Sequence, residues 1–365
     1  MAKTGLHLVE QIDGAHVFTA RNLVPTYSSM ALFAGHPLEE VLPQFLRAYH
    51  VGVAHGDVDY GYLGVLNHLT ACYYLGTTPL YELNEEYEKY LSEMEEYQSN
   101  FAKWIVTALW QLVRNLSGKP LKGCGGGLDP SGFIAEMKAQ KTPEMVPVID
   151  HSQDILTKVI LGTLGHANLR DDEHLVSFCH ANVDSLHAHF ARVMCCYGVG
   201  VSSFELLRQT GKRKYRQYFR RELKAMQAWY DEGVTVAVAP FLLLTAESLA
   251  ESANKRNAPS RKQIERAYLD AAAAASGVSK CVMIEAYSYE RLSQIVLPAQ
   301  TKEYTEKAIE KYALWGATAK VVQLRGLLSQ PFAESCEQRN PASGDKARKR
   351  QSMPLAELVG TSHTG

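Results

Sequence analysis

Between Pro37 and Gly76 the chain reads PLEEVLPQFLRAYHVGVAHGDVDYGYLGVLNHLTACYYLG, and this stretch decides the fold class. Leu38, Val41, Leu42, Phe45, Tyr49 and Val53 recur at three- and four-residue steps, the spacing of one helix face. Pro37 suits a first turn, where the amide hydrogen it lacks has no intrahelical acceptor. Gly56 stands where a left-handed C-terminal cap belongs, and Asp57 can cap the next helix. That helix carries Tyr62, Leu66, Leu69 and Tyr73 on its apolar side and stops near Gly76. A short Gly-Asp join between helices of this length forces them antiparallel.

The same grammar continues outward. After Pro79, Leu80, Leu83, Tyr87, Leu91 and Met94 form one face and six glutamates between Glu85 and Glu96 the other, a solvated flank. A fourth helix is expected at 101–116 with Trp104, Ile105, Leu109, Leu112 and Val113. Glycine and proline then punctuate 119–150, which reads as a surface loop or linker. Helical spacing resumes at Ile155, Leu156, Val159 and Ile160. Further helices are expected at about 174–197, 202–232, 240–253, 261–276, 280–295, 302–314 and 318–328. Alanines 271–275 allow close helix approach, and Gly277 should end their helix. No strand-like alternation appears. The expected fold is all-α: an α-solenoid of antiparallel, TPR-like helix pairs, with a disordered C-terminal tail. Its expected parts are a helical lobe at 1–118, the linker at 119–150, a second lobe at 151–330 and the tail at 331–365.

The chain has 365 residues, with 38 Lys+Arg against 39 Asp+Glu and a net charge of -1. That balance removes the electrostatic argument for nucleic-acid binding, and no nucleic-acid partner is expected. Seven cysteines lie scattered with no C-x-x-C pair and read as reduced thiols. No secretory leader is legible near Met1, where Glu10 and Asp13 interrupt the apolar residues. The stretch between Asp59 and Glu82 is free of formal charge and long enough to span a bilayer. Its Gly61, Gly64, Asn67, His68, Gly76 and Pro79 fit a buried helix better. A cytoplasmic protein with no membrane partner is expected.

Near the end, Ala308, Tyr312 and Trp315-Gly316-Ala317-Thr318-Ala319-Lys320-Val321, followed by Leu324, read A-x3-Y-x2-WGATAKV-x2-L. This resembles the closing motif of the TPR-like helical region in large predicted AAA/STAND-type ATPase signalling proteins, often fused to GAF, histidine-kinase or cyclase domains. Leu243 with Ala246-Glu247 and Leu249-Ala250 is similar to that family's L-x2-AE-x-A helix. Ala267-Tyr268, Gly277, Glu285-Ala286 and Trp229 fall where its neighbouring helices place comparable residues. Gly52 with Gly56-Asp57 resembles its G-x3-GD junction, and Leu116-Ser117-Gly118 its short helix stop. The likeness covers about 35–118 and 215–328. The segment between Val296 and Thr301 is shorter than the family's loop. The resemblance implies a non-catalytic scaffold or regulatory region whose partner is another protein or an adjacent signalling module. The residues themselves read as structural: small Ala308 and Ala246 at helix crossings, and large Tyr312 and Trp315 with a polar handle in the core.

A P-loop requires G-x-x-x-x-G-K-[ST]. Gly118-Lys119 runs into Pro120, Gly211-Lys212 into Arg213, and Gly123–Gly127 lacks the Lys-Ser/Thr pair. No ATPase module, H-E-x-x-H or G-x-S-x-G is present, and neither His151 nor His166 fits a phospho-acceptor box. No cofactor is expected. His180, Asp184 and His187, at i, i+4 and i+7, would share one helix face, with Cys179 and His189 nearby, and could ligate zinc in a metal sensor or enzyme; a histidine-rich polar flank is the commoner and favoured reading. Lys212, Arg213, Lys214, Arg216, Arg220, Arg221 and Lys224, interleaved with Tyr215, Tyr218 and Phe219, form the one dense basic patch. It could meet RNA, acidic lipid or an acidic protein, but a solvated face with inward aromatics is the favoured reading. Arg348-Lys349-Arg350-Gln351-Ser352 admits a kinase site or an import signal besides plain disorder.

Overall fold

The computed structural model describes residues 4, 7, 11–12, 15–119, 173–185, 189–254, 258–295 and 298–329. The linker at 120–150, the spacing around Ile155, the motifs at His151 and His166, and the basic tail lie outside the described residues. Those described form thirteen α-helices and no strand. In chain order they are α1 (Thr19–Phe33), α2 (Leu38–His55), α3 (Val58–Leu75), α4 (Leu80–Glu96), α5 (Asn100–Leu116), α6 (Glu173–Asn182) and α7 (Ala191–Thr210). They continue with α8 (Arg213–Asp231), α9 (Thr235–Glu251), α10 (Arg261–Gly277), α11 (Val282–Ser293), α12 (Pro298–Trp315) and α13 (Thr318–Ser329). Short joins fold α2 onto α3, α4 onto α5, α7 onto α8, α9 onto α10 and α11 onto α12. The chain is an all-α array of antiparallel helix pairs.

Burial follows apolar patterning. Every residue of α3 from Gly64 to Leu75 is buried, and α7 is buried from Ala191 to Phe204 except at Arg192. The charge-free stretch is therefore wrapped in protein, and among the described residues no helix is long and apolar enough to cross a membrane. The outer helix α4 buries Leu80, Leu83, Tyr87 and Met94 and turns Glu82, Glu85, Glu88, Glu95 and Glu96 to solvent.

Helices α2 and α3 approach through glycine. A Cβ on Gly64 would stand 2.5 Å from the Phe45 carbonyl oxygen, and one on Gly52 would stand 2.8 Å from the Gly61 Cα. No side chain fits in that gap, so the backbones themselves form the contact.

The two expected lobes lie against each other and share one apolar cluster running from Leu38 to Leu324. Cys281 Sγ donates to the Tyr74 carbonyl at 2.9 Å, Lys280 pairs with Glu39 at 3.2 Å, and α13 lies against α5. Pro240 supplies a further tie. Expected to open its helix, it lies inside α9, which begins at Thr235. Having no N–H, it leaves the Val236 carbonyl without its intrahelical donor. The Tyr74 hydroxyl, from the other half of the chain, donates to that carbonyl at 3.4 Å.

Other boundaries also differ from the periodicity reading. Helix α1 carries Pro25 and no clear apolar stripe, and the spacing did not reveal it. The helix expected at 174–197 is two helices. A 3-10 turn at Val183–Ser185 precedes the break, and the His189 Nδ1 accepts the Ala191 N–H at 3.1 Å as α7 starts. The helix expected at 202–232 is split by Gly211, a left-handed cap at φ +67°. Pro37 precedes α2 rather than opening it. Asp57 occupies the N-cap position of α3 without a side-chain cap bond; its carboxylate instead accepts Arg21 from α1 at 3.1 Å. Gly277 is the last helical residue of α10, and Val278 is the cap, still in helical geometry.

Candidate functional site

The WGATAKV residues assemble at the α12–α13 corner, where that corner meets α3 and α4. Trp315 is 1% exposed, lies 5.5 Å from the Tyr73 ring and fits against Gly76, where a Cβ would stand 3.1 Å from its ring. Its indole Nε1 is buried without a hydrogen bond, so the expected polar handle is unused. Gly316, at φ +82°, turns the chain against Leu80, whose N would lie 3.2 Å from a Cβ there. Ala308 and Ala317 are fully buried. Lys320 Nζ donates to both oxygens of Glu290, at 2.9 and 3.1 Å, and the Tyr312 hydroxyl donates to Glu290 at 2.7 Å.

The same arrangement recurs upstream. Arg291 on α11 donates to both oxygens of Glu247 on α9, at 2.5 and 3.0 Å, with both side chains almost wholly buried. Burial opposes charge on Arg291, and Glu247 more than offsets it, raising the guanidinium pKa further. Glu285 pairs with Lys311 at 3.0 Å. The ionisable residues of the motif region thus stitch successive helix pairs together: α9 to α11, and α11 to α12 and α13. Charges taken from water must be paired at close range, and these are.

The second cluster joins α6 to α8. Lys212 Nζ reaches both oxygens of Glu173 at 2.7 Å, and Lys214 approaches the same carboxylate at 3.7 Å. Lys212 and then Tyr215 hold the Glu173 carboxyl below the usual carboxylate range. His180 stacks on Tyr218 at 3.7 Å, and its Nδ1 lies 2.9 Å from Oε1 of buried Glu222. Arg221 donates to the His180 carbonyl at 3.0 Å and to the Asp184 carboxylate. Asp184 also accepts Arg192 at 2.7 Å, and Arg192 lies over the Trp229 ring. His180 and Asp184 are therefore each bound within the protein, and His187 lies outside the described residues. Among the described residues, no group of three or more His, Cys, Asp or Glu is placed to hold a metal ion.

Of the basic patch, Lys212, Lys214 and Arg221 face acids or a carbonyl of residues 173–185, while Arg216 pairs with Glu251 at 3.0 Å. Arg213, Arg220 and Lys224 are exposed on one stripe of α8, and Tyr215 and Phe219 point inward. Glu222 escaped the sequence reading, although a signal existed: it falls in register with Tyr215, Phe219, Met226 and Trp229 on the buried face.

Two further histidines are held between helices, His68 buried on α3 and His189 half-buried ahead of α7. His189 Nδ1 accepts the Ala191 N–H, so Nε2 carries the proton and donates to Asn67 Oδ1 at 2.7 Å. Burial lowers its pKa to about 4. His68 Nε2 lies 3.3 Å from Glu86 and 3.6 Å from the Cys72 sulfur. Burial opposes its charge, but Cys72 and Glu86 more than offset that and raise the pKa to about 9. Cys72, Cys179, Cys195, Cys196 and Cys281 are buried thiols outside any disulfide.

The two rings act on stability with opposite sign. His189 folds neutral, so its contribution is complete above the unfolded value near 6.5 and fades as pH falls toward 4. His68 folds charged, so its contribution is complete below about 6.5 and is lost as pH rises through 9. Each limb is worth up to about 3 kcal/mol. Urea denaturation in pH steps should show a maximum near 6.5; His68→Gln should flatten the alkaline limb and His189→Gln the acid one.

The fold and these pairings define a class: an all-α protein of stacked helix pairs stitched by buried ion pairs. No protein-family model matches the chain, and neither a curated protein nor a solved structure matches it.

Proposed function

We propose that the chain is a non-catalytic, TPR-like scaffold or regulatory region of an ATPase-linked signalling protein, working in the cytosol through protein–protein contact. One observation carries this reading. The motif residues that resemble the ATPase-linked family, Glu247, Tyr312, Trp315 and Lys320, are spent on core packing and on pairs between helices. Such residues serve to hold a helical array in shape, and arrays of this kind bind partners on extended surfaces. Asp184, held by two guanidinium groups, does not favour the metal-sensor alternative.

The test is in-cell cross-linking with mass spectrometry on the intact chain. A recurrent protein partner carrying an ATPase or signalling module is expected. Stoichiometric zinc in the purified chain that vanishes in His180→Ala, or nucleotide turnover by the chain alone, would overturn the reading.

A further inference from the structure

We infer that residues 173–185 occupy, in cis, a docking groove on α7 and α8 whose exchange partner is an acidic amphipathic helix of another protein. This rests on reading the chain as an interaction scaffold. The occupant already in place defines the ligand chemistry. Its apolar side, Val176, Cys179 and Val183, is buried, and Val176 clusters with Leu206, Leu207 and Tyr215. Its two acids sit at the ends: Glu173 on Lys212 and Lys214, and Asp184 on Arg221 and Arg192. The groove therefore reads an apolar stripe bounded by a carboxylate at each end.

What makes this occupant exchangeable is how it is held. Helix α6 has ten residues, below the length at which a helix is stable by itself. Three of the four cations that grip its ends are well exposed: the side chains of Lys212, Lys214 and Arg221 are 53%, 43% and 41% accessible, against 25% for Arg192. Pairs at such positions are weak and screened by salt. Between these ends His180 meets buried Glu222, so an incoming helix must bring a donor to that carboxylate. A partner helix with more acids than Glu173 and Asp184 would also engage exposed Arg213, Arg220 and Lys224, which residues 173–185 leave to solvent. That surplus of three cations gives a partner the differential affinity that displacement requires.

Two measurements on the intact chain test this. In hydrogen exchange, amides of 173–185 should exchange well before those of α7 and α9, and faster still when salt rises from about 50 to about 500 mM. The probe for binding is a labelled peptide, EHLVSFCHANVDS, copied from residues 173–185. It should bind the Glu173→Gln/Asp184→Asn chain at least about tenfold tighter than the unaltered chain, because the competitor in cis is weakened. Adding Lys212→Glu and Arg221→Glu should abolish binding. Exchange of 173–185 in step with α7 at both salt concentrations would overturn the inference, as would a peptide that fails to bind the Glu173→Gln/Asp184→Asn chain. Either failure leaves cross-linked partners on other faces untouched, so the broader scaffold reading is judged separately.

Discussion

Replacing Gly64 by alanine should destabilise the protein by about 3 kcal/mol or more, whereas the same change at Gly326 should be neutral or slightly stabilising. Both glycines lie inside helices, where alanine is favoured by about 1 kcal/mol on propensity alone. Only the surroundings differ. The new Cβ at Gly64 would sit 2.5 Å from a backbone oxygen of α2, whereas at Gly326 nothing lies within 4 Å. A carbonyl oxygen cannot rotate aside as a flexible side chain can, so α2 and α3 must separate along the contact that begins at Gly52 and Gly61. Core overpacking usually costs about 1–3 kcal/mol, and backbone against backbone belongs at the upper end. Chemical denaturation of both variants decides it; a Gly64→Ala protein as stable as the parent would mean that the helices do not cross there.

Arg291→Leu should cost about 3–5 kcal/mol, since it strands the Glu247 carboxylate at 1% exposure. The pair is bidentate, with Arg291 Nη1 also donating to Gln294 at 2.5 Å, so three hydrogen bonds vanish together. The double variant Glu247→Leu/Arg291→Leu should regain most of that loss, because no charge is left buried and the added leucines bring apolar contact. A double-mutant cycle isolates the coupling: the double variant should be far more stable than the sum of the two single losses predicts, because each single variant leaves a charge buried and unpaired. Additive losses would show that Glu247 is solvated and that α9 and α11 are joined by packing alone.

Much of the array was legible because apolar spacing is a direct record of which helix face is buried. Leu38, Val41 and Phe45 or Leu80, Leu83 and Tyr87 announce their helices, and all six are buried. The same record is silent on contacts across long stretches of chain. A glutamate such as Glu290 looks alike in sequence whether water surrounds it or Lys320 meets it. The break before Ala191 was illegible for a similar reason: His189 leaves the helical path to reach Asn67, over a hundred positions away. The basic patch shows the opposite limit. Its composition was plain, but four of its seven cations face Glu173, Asp184, the His180 carbonyl and Glu251. Only the fold could separate those from the exposed stripe of Arg213, Arg220 and Lys224.

The seat that Gly76 and Tyr73 provide for the Trp315 ring has a bearing on synthesis. A ribosome makes α3, buried without a break from Gly64 to Leu75, long before it makes the indole that closes over one end of it. Until then the nascent chain must carry a greasy, half-finished cavity through most of translation. That end of the core can therefore close only once α12 has been made.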